Sequence, residues 1–286
     1  MGRSVVEKAV ATNAECWRLA SGGDEQLVIL MMYWHVIELL DGAVVLVAAG
    51  AIEPSRLQLR AAFEALLDLE FILESDTTRR AYAWLVVKDV LKRIKTWQKF
   101  DEATDAGRQF ATLLSSEGGP MPFPTLDAKA KGDALQHMLD TDPRWTPAYD
   151  EYKRLKQQFP KSRSRPEWFE LFDGPVGGGV STLARHLRHG ADYEVLYRHW
   201  SARVHGSDAV QRFKRGGVVP LRATGELNAT MNFVVTFGLR AIRAVIQHYM
   251  PEREKELYAQ WYVAEVRQRW TAFGPFDESD QRSGLE

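Results

Sequence analysis

Four of the seven histidines in this 286-residue chain, His186, His189, His199 and His205, fall within twenty residues. The last two lie in Tyr197-Arg198-His199-Trp200-Ser201-Ala202-Arg203-Val204-His205, whose composition predicts helix. Seven residues of α-helix bring a side chain back to within ~20° of its starting direction. Arg198 and His205 would then share one face with Ser201 between them, opposite the apolar Val195, Leu196, Trp200 and Val204. Gly206 breaks the helix and leaves His205 at its C-terminus, where the dipole favours an imidazolium. Imidazole, with an ordinary pKa of about 6.5, moves protons at neutral pH. The reaction that needs only such parts is cleavage of RNA by its own 2′-hydroxyl. A base takes that proton, an acid protonates the leaving 5′-oxygen, and a cation stabilises the charge building on phosphorus. His205 is the candidate acid or base and Arg198 the candidate phosphate clamp. The chemistry asks for no metal and no cofactor, and leaves a 2′,3′-cyclic phosphate.

The same residues admit blander readings. His205 can simply cap its helix while Arg198 pairs with Glu194, four residues earlier, or the pair can bind a ligand or partner without chemistry. Arg198-His199 followed by His205 resembles the Arg-polar-x(3–5)-His signature of the HEPN superfamily, helical proteins that include many toxin and antiphage ribonucleases. The resemblance implies Arg198 and His205 as catalytic residues, with His199 assisting; Ser201, on the same helix stripe, and Tyr197, in the same segment, are supporting candidates. It also implies RNA as substrate, a site assembled across a homodimer, and an antitoxin or regulatory protein as partner. Many HEPN proteins are catalytically silent, so a non-catalytic helical module binding a nucleotide or a protein partner stands as the alternative. A wider pattern, Arg60-Ala61-Ala62-Phe63-Glu64 early and the Tyr197 segment late, is similar to an uncharacterised bacterial helical family.

Other chemistry-bearing residues are fewer. Arg56, Arg60, Glu64 and Asp68 follow one another at i+4 steps, as in-helix ion pairs do. Such pairs usually stand on a solvated face, but the helix is apolar on most of its circumference, so the alternative is that Arg60 and Glu64 are buried and paired, with Glu64 a candidate to orient the imidazole if it packs near His205. Arg185 and Arg188 flank His186 and form either a solvated face or an accessory phosphate grip. His35 and Glu38 make a His-x-x-Glu unit. Dimetal bundles use the reverse order twice over, so the expectation is no metal site and a hydrogen-bonded core histidine.

These residues need a scaffold, and the bulk composition bounds it. With 45% apolar residues the chain can bury a substantial core. A formal charge of -1, from 37 Lys and Arg against 38 Asp and Glu, excludes a globally basic nucleic-acid binder and makes any polyanion site local. Residues 185–215, with seven Lys or Arg against three Asp or Glu, are the expected place. The single cysteine, Cys16, excludes a disulfide framework and points to a reducing, cytoplasmic location. Leu27 to Ala49 is long enough to span a bilayer. His35, Glu38 and Asp41 lie near its middle, where each charge would cost roughly 2.5–3.5 kcal/mol, so a buried helix and no membrane are expected.

Apolar periodicity predicts an all-α bundle of about nine helices. Residues 1–116 form its N-terminal part, with helices over 3–20, 25–49 (Asp24 as N-cap), 56–75 and from Thr77 or Thr78 to 100. A loop-rich insertion or lid, 117–180, carries two short helices and a mobile crossing segment anchored by Trp168-Phe169. A C-terminal part, 181–275, carries the Arg/His motif on a helix over 192–205, and 276–286 is a polar tail.

Overall fold

A computed structural model describes residues 1–118, 127–158, 165–177, 179–200, 222 and 226–272. The architecture is all-α, and among the described residues there is no extended strand. The chain divides into two compact units, one built from residues 1–75 and 178–286 and the other from 76–177. The helices of 76–116 therefore group with the central segment.

The first unit is a bundle of four long helices, α1 (Gly2–Leu19), α2 (Asp24–Ala48), α3 (Ile52–Glu74) and α11 (Leu227–Tyr249). Its core is aliphatic and aromatic, with Ile29, Leu30, Tyr33, Leu59, Phe63, Leu66, Leu67 and Phe237 fully buried. The Tyr33 hydroxyl, inside this core, donates to the Ala9 carbonyl (3.1 Å), so the polar end of the ring is satisfied where burial would otherwise penalise it. At Gly238 the helices approach so closely that a Cβ would stand 2.3 Å from Val5 Cγ1. α2 starts with Gly23 as N-cap, and Asp24 and Glu25 occupy its first turn, where carboxylates complement the helix dipole. Gly50, at φ +76°, reverses the chain after it. α3 begins at Ile52, four residues before the predicted start, because Pro54 sits in the first turn, where a missing amide breaks no intrahelical bond.

Two helices, Asp24–Ala48 and Leu227–Tyr249, are long and apolar enough to cross a membrane, and half or more of each apolar window is buried inside the bundle. On α2 the buried side is incomplete, since Leu27, Met31, Trp34 and Val45 are 41–59% exposed.

The second unit runs through α4 (Thr77–Trp84), a π-helical turn (Leu85–Val90) and α5 (Leu91–Phe100), then α6 (Asp105–Ser116), α7 (Ala128–Thr141) and α8 (Thr146–Gln158). Asp76, rather than Thr77 or Thr78, caps α4, its carboxylate accepting from the Arg79 amide. The core joins Tyr82, Val86, Val90, Ile94, Leu139, Trp145 and Ala148. Gly107 is fixed by sterics, because a Cβ there would lie 1.9 Å from the Asp101 carbonyl oxygen. Residues 165–177 are built around Trp168 and Phe169, both buried as expected. The buried Glu170 carboxylate accepts from the Glu167 and Gly177 amides (2.9 and 2.7 Å). The predicted crossing segment is thus a tied loop over these residues. Residues 160–164 of that segment and 119–124 of the Gly-Pro run lie outside the described residues.

Candidate functional site

The segment carrying the Arg/His motif packs on α3 in the first unit. α9 (Val180–His186) leads through Arg188, held at φ +63°, to α10 (Gly190–Tyr193) and a π-helical turn over Glu194–His199. The Trp200 amide reaches back to the Val195 carbonyl (3.1 Å), the i→i+5 bond that puts an extra residue into the turn. The predicted seven-residue alignment of Arg198 with His205 starts at the end of this turn and runs on into residues 201–205, outside the described residues. Arg198 and His199 lie in the backbone of the turn. Their side chains, together with Ser201 and His205, lie outside the described residues.

Three of the predicted supporting residues meet beside that turn. The Arg60 guanidinium lies over the Tyr197 ring at 4.1 Å, the Tyr197 hydroxyl donates to the Glu64 carboxylate, and Arg60 faces Glu64 at 3.8 Å. Burial first, and then the bond to Glu64, raise the Tyr197 hydroxyl above its ordinary pKa and keep it a donor. Tyr193 stacks on Tyr197 with ring centroids 4.6 Å apart. Of the two readings of this pair, the partly solvated one holds, with Arg60 and Glu64 27% and 48% exposed. The buried cation of the stripe is Arg56, which pairs with Glu53 (2.8 Å) and Glu226 and lies under the Trp200 ring. Burial moves to Arg56 because Glu226, at the start of α11, and Trp200 cover that end of α3.

A second cluster was not anticipated. His189, whose side chain is fully buried, donates through Nδ1 to Asp192 and through Nε2 to Glu70, each at 2.8 Å. Glu70 in turn accepts two bonds from Arg240 (2.8 and 3.1 Å). Only the imidazolium donates at both nitrogens. Burial is the largest influence on His189 and opposes its charge, but the bonds to Asp192 and Glu70 outweigh it and raise the pKa. Burial likewise opposes ionisation of Glu70, and the bonds from His189 and Arg240 reverse that and lower it. Phe63 connects the two clusters, since the His189 ring meets it edge-on at 5.7 Å and the Tyr197 ring tilts against it at 6.4 Å. Beside Glu70 and Arg240 opens a groove of about 530 Å³, which Glu74, Arg243, His248 and Tyr258 also line.

The remaining candidates divide. Arg185 and Arg188 are exposed, and His186 between them pairs with Glu74 (2.9 Å). His35 is not a core histidine. It stands 52% exposed on the outer face of α2, 3.8 Å from Glu38, whose carboxylate also accepts from Trp34 (2.8 Å). The one signal in the sequence for the His189 cluster was the i, i+3 spacing of His189 and Asp192, because Glu70 and Arg240 are distant along the chain.

An all-α bundle protein with a polar, aromatic site on the α3 face is the class these features define. The chain belongs to the DUF5677 family, a family of unknown function, whose model matches residues 26–215. That span runs from α2 through both units and includes the whole Tyr197–His205 segment. No curated protein and no solved structure matches the chain.

Proposed function

We propose that this protein is a metal-independent endoribonuclease of the HEPN type. In the reaction the 2′-oxygen of RNA forms a bond to phosphorus as the bond from phosphorus to the 5′-oxygen breaks. His205 takes or gives the proton, His199 assists, and Arg198 neutralises the phosphorane charge. The observation that carries the reading is the Arg60–Glu64–Tyr197 cluster. It fixes the residue next to Arg198 with a cation, a carboxylate and a stacked ring, a degree of constraint that a catalytic turn needs. A π-helical turn at that point adds support, because such turns recur at functional sites. A homodimeric site and a setting in a toxin or antiphage system with an antitoxin or regulatory partner belong to the same proposal on the resemblance alone, and a cytoplasmic location belongs to it on the single cysteine.

The test incubates the purified protein and a His205→Ala variant with a mixed RNA pool in EDTA and examines the 3′ ends. Cleavage by the unsubstituted protein alone, leaving 2′,3′-cyclic phosphates, is the expected result. Intact RNA in both reactions, or equal cleavage in both, overturns the reading. A second reading, a non-catalytic module that binds a nucleotide or a protein partner, is favoured by the exposed Leu27, Met31 and Trp34 on α2.

A further inference from the structure

Most cations of the second unit fall into two groups, with Lys131 apart over the Trp97 ring at 4.7 Å. Arg79, Arg93, Arg108, Lys129, Arg144, Lys153 and Arg154 are each paired with a carboxylate two to four residues away. Lys88, Lys92, Lys95, Lys99, Lys156 and Arg165 have no carboxylate within ion-pair distance among the described residues. Lys92, Lys95 and Lys99 recur at steps of three and four along α5, which places them on one stripe of the helix surface, and Lys88 precedes them in the π-helical turn. Lys156 at the end of α8 and Arg165 bring their charges close enough to act on Lys95. Lys92, Lys99, Lys156 and Arg165 are exposed and Lys88 and Lys95 half-buried. Burial first, and then the positive charges of Arg165, Lys156 and Lys92, hold Lys95 below the ordinary lysine range, with no carboxylate among its neighbours to offset them. Like charges gathered at this density repel one another. A row of phosphates laid along the stripe would remove that repulsion and release the counterions that accompany a nucleic acid.

We infer that the α5 stripe, with Lys156 and Arg165, is a binding surface for the phosphodiester backbone of nucleic acid. Lys92 to Lys99 covers about 10 Å of α-helix at 1.5 Å per residue, and Lys88 in the preceding turn lengthens the row, so that it spans more than one phosphate of a bound strand. The contacts come from lysine heads on a helix surface rather than from a cleft with planar donors, so the surface recognises charge and not bases. The inference stands on observations separate from the Arg198–His205 motif and holds whether or not that motif cleaves RNA.

The experiment measures the fluorescence anisotropy of a labelled 20-mer of thymidine deoxynucleotides titrated with the full-length protein at several salt concentrations. The probe lacks a 2′-hydroxyl, so it cannot undergo the proposed cleavage and the two proposals fail separately. A quadruple variant, Lys92→Gln, Lys95→Gln, Lys99→Gln and Lys156→Gln, is compared with the unsubstituted protein. Relief of like-charge repulsion leaves it at least as stable to heat, which a thermal melt checks. The expected result is binding by the unsubstituted protein and at least tenfold weaker binding by the variant. The slope of log affinity against log salt should fall by about 0.7 per cation removed. Equal affinity and slope in the two proteins, or no binding by either, overturns the inference. So does lysine-dependent binding to vesicles of phosphatidylserine and phosphatidylcholine without binding to the oligonucleotide.

Discussion

His189 holds a carboxylate on each ring nitrogen, and this ties stability to two protonation states. Its folded pKa is raised above 6.5, so its contribution is complete below about pH 6.5 and is lost as pH rises through the raised value. Glu70 is held below 4.5, so its contribution is present above about pH 4.5 and is lost as pH falls through the lowered value. Urea denaturation across pH should therefore place the stability maximum between about pH 4.5 and 6.5. His189→Gln donates at one position only, and should flatten the alkaline limb and cost about 2–3 kcal/mol at pH 6. An unchanged pH profile in that variant would show that the imidazolium does not hold the cluster together.

At the scale of single elements, two glycines make opposite demands. Alanine at Gly238 meets a valine side chain that can rotate, and should cost about 1–3 kcal/mol through crowding between α1 and α11. Alanine at Gly107 meets the Asp101 backbone carbonyl, which cannot rotate aside, and should cost more and fray the start of α6. Thermal melts of both variants test the order, and a milder effect at Gly107 would contradict it. Helix positions were legible in the sequence because apolar residues recur with helical period. Starts were less so: Gly23 and Asp76 took the capping roles that neighbours seemed equally able to fill. The i, i+4 relation of Arg60 and Glu64 was readable, but their meeting with Tyr197 was not, because 133 residues separate Tyr197 from Glu64. His35 misled for a different reason. α2 is apolar around most of its circumference, so its composition does not say which side faces out. The lysine stripe could have been found from its spacing, but a count of net charge hides it behind the paired carboxylates of the same unit.

For the molecule as a whole, the division at Ser75 and Gly178 implies that the central unit carries its own stabilisation. Its core, from Tyr82 to Ala148, draws on residues within 76–177 alone. Residues 76–177 produced by themselves should be helical by circular dichroism and melt cooperatively, and a broad, non-cooperative loss of helix would argue against an autonomous core. The first unit is different, because α11 packs on α1, α2 and α3 but is synthesised only after the entire central unit. At 5–20 residues per second the ribosome takes roughly ten to thirty seconds to pass from the end of α3 to α11. During that interval the apolar sides of α1, α2 and α3 await their fourth helix, while the central unit can already complete its core. The part of the chain made first is thus finished last, and its most apolar helix is the one that nascent-chain chaperones would be expected to hold.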